Sequence, residues 1–136
     1  MALVVNSLVT ESYLKSARKD GLERSVWKFV VIETPEAFHF VCGPVVEYTY
    51  HVSLVALFCK RNEIGAVRGR KSEMVEILDT KVRVHGGGHI QINLLAKRMK
   101  IYGRSTAYGP YNPDHLVGLA DSSTFFSGFE LLVIGL

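Results

Sequence analysis

The chain has few of the residues that mark disulfide scaffolds, linkers and membrane spans. Two cysteines, Cys42 and Cys59, are too few for a disulfide framework and are not spaced as a metal-binding pair. Four prolines and 12 glycines exclude collagen-like and linker-like chains. The strongest apolar run, residues 52–59, is much shorter than the roughly 20 residues of a membrane-spanning helix. The N-terminus lacks a basic segment before a long apolar run, so we expect no signal peptide and a reducing, cytoplasmic location.

The composition is that of one globular domain. Of the 136 residues, 48% are hydrophobic and 21% are charged, which excludes wholesale disorder. A domain of this length buries roughly two-thirds of its unfolded surface, enough for a substantial core. The net charge of +3 suits an anionic ligand such as phosphate. It is too small to indicate nucleic acid binding, which we do not expect.

Strand and helix patterns follow one another irregularly, which predicts an α+β fold. Residues 26–32 are β-branched and aromatic and predict a strand, whereas apolar residues at helical spacing predict a helix over residues 72–81. Residues 1–25 are expected to form an arm or a marginal helix. Residues 33–66 are expected to form an irregular insertion within a domain of residues 26–136. We therefore expect a single domain with a mixed β-sheet and one or two packed helices.

Two glycine-rich segments joined by a predicted hairpin are the strongest functional signal. The triple glycine, Gly86 to Gly88, is expected to interrupt the strand pattern between residues 81–85 and 89–94. The second alternating run and its partner make a hairpin over residues 89–102, which is followed by the small-residue loop 103–109. Glycine loops of this kind direct several backbone amides at one point, and phosphate oxygens accept from such amides.

Two other motifs are open to alternative interpretations. Gly103-x-Ser105-x-Ala107 has the spacing of a hydrolase nucleophile elbow, but no helix clearly follows it and the chain is too short for the fold that carries the elbow. His85 and His89 have the spacing of a metal-binding pair. The triple glycine between them prevents a common helix face, and no cysteine or carboxylate stands close enough in sequence to complete a ligand set. We therefore expect no metal.

A run after the predicted hairpin turn reads KIYGRSTAYGP, residues 100–110. Together with the triple glycine, it resembles the janus/ocnus family, the phosphohistidine phosphatases. The resemblance extends to residues 27–32, 67–79 and 126–130 and so covers most of residues 26–133. It implies hydrolysis of the P–N bond of phosphohistidine in proteins, without a cofactor. We expect a monomer whose partners are phosphohistidine-containing proteins, with no nucleic acid or membrane partner.

The resemblance also implies a phosphate-binding set. Two cations would hold the phosphate charge, the triple glycine would form part of the pocket wall, and three residues of the second loop would present backbone amides. The serine of that loop would add its hydroxyl. The residues at these positions are Lys28, Arg68, Gly86, Gly87, Gly88, Ser105, Thr106 and Ala107.

The position of the catalytic histidine departs from the family pattern. In the family, this histidine follows a Glu-Tyr pair at the start of a helix, whereas residues 73–75 here read Glu-Met-Val. His89 stands where the family has a basic residue and is the first candidate for a base in the pocket. His51 is the second, because residues 47–51 read EYTYH, although they precede residues 67–69 and so break the family's order. If none of His51, His85 and His89 reaches the second loop, a catalytically impaired phosphate- or phosphoprotein-binding regulatory module is the alternative function.

Overall fold

The computed structural model describes residues 2–8, 13, 15, 24–48, 50–68, 75–122 and 126–134. In chain order, its strands are β1 (Ala2–Ser7), β2 (Arg24–Glu33), β3 (Ala37–Pro44), β4 (Ala66–Arg68), β5 (Val75–Ile77), β6 (Arg83–Asn93), β7 (Arg98–Tyr102) and β8 (Glu130–Val133). Helix α1 (His51–Arg61) lies between β3 and β4, and two short 3-10 turns, Pro113–Leu116 and Leu119–Asp121, precede β8.

Six of the strands form one mixed sheet in the order β1-β3-β2-β6-β7-β8. The two outer pairs, β1 with β3 and β7 with β8, are parallel, and the inner pairs are antiparallel. Strands β4 and β5 form a separate two-stranded sheet. The mixed sheet and its packed helix confirm the prediction of a single α+β domain.

The central strand β2 is buried on both faces, which explains its unbroken apolar sequence. Trp27 and Phe29 belong to one core cluster, which the 3-10 turns help to cover. Val30 and Ile32 point to the opposite face and pack in a second cluster with apolar residues of α1. Because side chains alternate along a strand, Lys28 lies on the same face as Val30, beside the helix.

The helix predicted over residues 72–81 is wrong, since residues 75–77 form strand β5 and residues 72–74 lie outside the described part of the chain. Val75 is buried and Glu76 is exposed, which is the alternation of a half-buried strand. The α-helix is α1 instead, inside the predicted irregular insertion. Four of its apolar side chains, Val52, Leu54, Val55 and Phe58, are buried against the sheet.

The triple glycine does not separate two strands, because β6 runs through it without a break. Strand β2 pairs Val30 with Gly87 but Ile32 with Val84, so β6 has one extra residue at this point. Gly86, with φ of 100°, lies in this bulge. The predicted hairpin is confirmed by the pairing of β6 with β7.

Residues 2–7 form the edge strand β1, whereas the sequence predicted an arm or a marginal helix for this segment. The strand is parallel to β3 and extends the sheet by one position. Within the described residues, no helix combines the length and the apolar composition that crossing a membrane requires.

Candidate active site

The first residue of α1, His51, lies against the triple glycine of β6. Its side chain is buried, and its Nε2 atom is 2.8 Å from the carbonyl oxygen of Gly88. A carbonyl oxygen accepts only, so Nε2 carries the proton and the lone pair of the neutral ring is on Nδ1. Within the described part of the chain, Nδ1 makes no hydrogen bond. The ring therefore offers a proton acceptor in a fixed orientation.

The surroundings of His51 keep its imidazole neutral. Burial is the largest cause and lowers the pKa to about 4, with smaller contributions from the charges of Lys28 and His89. The hydrogen bond to the Gly88 carbonyl acts in the opposite direction and raises the pKa. At neutral pH the ring is therefore uncharged, which is the form that a general base or a nucleophile needs.

Lys28, His89 and Tyr102 form a row across three neighbouring strands beside the helix. Lys28 pairs with His89 between β2 and β6, and His89 pairs with Tyr102 between β6 and β7. The His89 ring lies between His51, at a centroid distance of 5.6 Å and edge to face, and Tyr102, at 5.6 Å and stacked. Burial and the charge of Lys28 lower the pKa of His89, so this ring also favours its neutral form.

Glycine is required where β6 meets its neighbours and the helix. A Cβ atom on Gly87 would overlap the carbonyl oxygen of Phe29 and lie 3.1 Å from Cδ2 of His51. A Cβ atom on Gly88 would lie 2.7 Å from the carbonyl oxygen of Tyr102. Gly87 lets the ring of His51 pack directly on the strand backbone, whereas Gly88, whose Cβ position faces Tyr111 and Phe29 on the other side of the sheet, accepts from His51 through its carbonyl oxygen.

The loop after β7 is fixed by Ser105, which is buried. The Ser105 amide donates to the carbonyl oxygens of Gly87 at 3.0 Å and Gly109 at 3.1 Å, and the Ser105 hydroxyl accepts from the Tyr108 amide at 3.0 Å. One of the three amides proposed for phosphate is thus already bonded within the protein. The amides of Thr106 and Ala107 make no hydrogen bond to any residue that the structure describes.

Two candidates remain, Arg68 and His85, and the structure describes neither side chain in this site. The side chain of Arg68 lies outside the described part of the structure, and its backbone belongs to the separate β4–β5 sheet. His85 is not beside His89, because its Nε2 is 2.6 Å from Oε1 of Glu33 and its ring contacts that of His115. Among the described residues, no group of three or more histidine, cysteine or acidic side chains is arranged to hold a metal ion.

The sequence interpretation ranked His51 behind His89 because it placed the strand before the helix at residues 67–69. That placement is wrong, since the strand that precedes α1 is β3. With β3 in this position, His51 is the first residue of the helix, and the Glu-Tyr pair of residues 47–48 precedes it. The turn signal Gly43-Pro44, followed by one continuous apolar run, is the feature that could have located α1.

A model of the Janus/Ocnus family, Ocnus, matches residues 22–122. The matched range contains β2, α1 and the two glycine-rich segments, and with them the row formed by Lys28, His89 and Tyr102. No curated protein matches the chain.

Proposed function

Because the chain belongs to the Janus/Ocnus family, we propose that it is a protein phosphohistidine phosphatase in which His51 acts as the general base. The observation that carries this proposal is the neutral His51 ring at the start of α1, bonded through Nε2 to the Gly88 carbonyl. The family resemblance implies a catalytic histidine after a Glu-Tyr pair at a helix start. In this chain Glu47-Tyr48 precedes His51, the first residue of α1, with two residues between them.

The reaction is hydrolysis of a P–N bond. The oxygen of a water molecule bonds to phosphorus, and Nδ1 of His51 takes the proton that this water loses. The P–N bond breaks and its electron pair goes to the leaving imidazole nitrogen of the substrate. The leaving nitrogen takes up a proton from solvent to give histidine, and His51 returns to solvent the proton that it took from water, so the products are inorganic phosphate and histidine.

Phosphoryl transfer is accelerated mainly by positioning and by fixed positive charge, because its transition state is loose and negatively charged. Lys28 lies beside His89 on the neighbouring strand and supplies a cation. The amides of Thr106 and Ala107 supply donors that no described residue occupies. A bound phosphoryl dianion would also raise the pKa of His51 towards its ordinary value, which makes the ring a stronger base when substrate is present.

A catalytically impaired phosphate- or phosphoprotein-binding module is the second candidate. Two observations favour it over a fully active enzyme. A pKa of about 4 makes His51 a weak base in the unliganded protein. The Ser105 amide, proposed to bind phosphate, instead donates to two carbonyl oxygens. In either case the proposed partner is a phosphohistidine-containing protein, which the chain would meet as a cytoplasmic monomer without a cofactor.

The two functions are separated by incubating the protein with a phosphohistidine peptide and following phosphate release by phosphorus NMR. An enzyme releases phosphate well above the spontaneous rate and leaves a phosphoserine peptide, whose bond is P–O, intact. A binding module gives no release above the spontaneous rate, but millimolar phosphate still shifts the amide resonances of Thr106 and Ala107. Neither release nor shift would contradict both functions.

A further inference from the structure

Among the described residues, the face of the sheet that carries the candidate site is covered by a helix on one side only. Helix α1 packs against β2, β3 and β5. On the same face, β6, β7 and β8 border a groove of about 460 Å³, which we call the open groove. Its polar and apolar side chains come from all three strands: Gln91, Asn93, Arg98, Lys100, Glu130 and Leu132.

The open groove continues directly from the candidate active site. Along β6, His89, Gln91 and Asn93 alternate on one face, and neighbours in this series are separated by roughly 7 Å. Strand β7 follows in register, since Tyr102 pairs with His89 and Lys100 pairs with Gln91. If a substrate residue is bound at His89, an extended chain that leads away from it enters the open groove about two residues further on.

Cations predominate in the open groove. Arg98 and Glu130 form an exposed ion pair with a distance of 3.4 Å, so their charges largely balance. Lys100 has no carboxylate partner among the described residues, and its ammonium group lies 5.7 Å from the centroid of the Tyr102 ring. The groove therefore carries one uncompensated positive charge next to the row that contains Lys28.

The other side chains of the open groove suit a polypeptide. The side-chain amide of Gln91 can both donate to and accept from a peptide backbone, and that of Asn93, whose Oδ1 already accepts from the Ala96 amide at 2.9 Å, can still donate. Leu132 is 56% exposed and offers an apolar contact beside Lys100. A small free phosphate compound would use none of these groups.

We propose that the open groove binds the segment of the substrate protein that adjoins the phosphorylated residue, and that Lys100 selects acidic side chains in this segment. The proposal rests on the phosphatase function and adds the class of substrate. An acidic side chain about two residues from the phosphohistidine reaches Lys100, where it gains an exposed ion pair. A basic side chain there meets a like charge.

The test compares three substrates: phosphoramidate, which has no flanking chain, and two phosphohistidine peptides with acidic or neutral flanks. We expect the wild-type KM to be about fivefold lower for the acidic peptide than for the neutral one, as one or two exposed ion pairs allow. Lys100→Glu should remove or invert this preference and leave the turnover of phosphoramidate unchanged. Lys60→Glu, which makes the same charge change on an exposed helix residue, should leave the preference intact.

Equal KM values for the two peptides would overturn the proposal while leaving the phosphatase function in place. A loss of phosphoramidate turnover in Lys100→Glu would also overturn it, because Lys100 would then belong to the catalytic machinery. If the wild type hydrolyses none of the three substrates, the phosphatase function fails. Fluorescence anisotropy with a labelled acidic peptide then tests whether the open groove binds peptide. Binding that Lys100→Glu removes supports the groove; no binding overturns it.

A second copy of the chain is the other possible occupant. Sedimentation of the wild type and of Lys100→Glu at several concentrations tests it. The proposal expects the same monomer mass for both proteins. A concentration-dependent dimer that Lys100→Glu dissociates would assign the open groove to self-association and overturn peptide binding there.

Discussion

His51 and His89 contact each other edge to face, and Lys28 faces both of them from strand β2. Burial lowers the pKa of each histidine, and the Lys28 ammonium lowers it further because two positive charges repel. The same burial lowers the pKa of Lys28 itself. Both histidines therefore favour their neutral forms, beside the positive charge of Lys28.

Replacing Lys28 by methionine tests this electrostatic coupling. Since the lysine charge lowers both histidine pKa values, Lys28→Met should raise the pKa of His51 and of His89. The measurement is a titration of the histidine ring resonances by NMR. Lys60→Met removes an exposed lysine and should leave both values unchanged. Unchanged values in Lys28→Met would mean that solvent screens the three groups from one another.

In the loop after β7, binding of an anion by the backbone amides that follow Ser105 can be tested. Thr106 and Ala107 have amides with no intramolecular partner among the described residues, whereas the Ser105 amide is bonded to Gly87 and Gly109. Titration with millimolar phosphate should therefore shift the amide resonances of Thr106 and Ala107 more than that of Ser105. No shift anywhere in residues 103–109 would contradict an anion site at this loop.

The triple glycine shows how an element can depend on the absence of side chains. Gly87→Ala would drive a Cβ atom into the Phe29 carbonyl, which belongs to backbone at the centre of the sheet and has little room to move. We expect the free energy of unfolding to fall by about 2–4 kcal/mol. Urea denaturation measures the change.

Gly65 supplies the matched control for that substitution. Its added Cβ would meet only Leu78, at an ordinary contact distance of 3.6 Å. Gly65→Ala should therefore change the free energy of unfolding by no more than about 0.5 kcal/mol. Equal losses for the two variants would show that close packing at β6 is not what requires glycine at position 87.

Local sequence patterns predicted the elements in which the arrangement of apolar residues agrees with the arrangement of buried side chains. Strand β2 is β-branched and aromatic, and the hairpin of β6 and β7 alternates, so both were predicted. Helix α1 was missed because six of its residues are buried, which leaves a short apolar run that fits a strand equally well. Residues 75–77 were misassigned because spacing alone does not reveal that they pair with β4.

Some residues of the candidate site could be located from the sequence and one could not. Lys28, His89 and the glycines could be placed because they lie on elements that the sequence predicted. The role proposed for His51 rests on a long-range contact, since its ring meets Gly88 across 37 positions of sequence. No local pattern contains that contact. Once β3 and α1 are known, His51 can be placed at the start of the helix.

Over the whole molecule, the histidines link stability to pH. His39, His51, His89 and His115 all have pKa values lowered mainly by burial, so the folded protein disfavours their charged forms. As pH falls through about 6.5, the unfolded chain takes up protons that the folded chain does not, and stability is lost. For His51 this loss continues down to its folded pKa of about 4.

Urea unfolding at pH 7.5 and pH 5.0 measures this linkage. For His51 alone, a folded pKa of about 4 makes the protein up to about 2 kcal/mol less stable at pH 5.0. His51→Gln, whose side chain does not titrate, should show a smaller difference between the two pH values. The same difference in both proteins would mean that His51 is protonated as readily in the folded state as in the unfolded chain.

The assignment of the base to His51 is tested most directly by the rate of phosphohistidine peptide hydrolysis in wild type, His51→Gln and His89→Gln. Glutamine keeps an N–H that can donate to the Gly88 carbonyl but has no basic nitrogen, so urea midpoints near that of wild type show that the fold is intact. We predict that His51→Gln lowers kcat by about 10²- to 10⁴-fold, whereas His89→Gln, which alters the pocket lining, changes kcat far less. Hydrolysis by His51→Gln at the wild-type rate, with His89→Gln inactive, would contradict the assignment and place the base on β6.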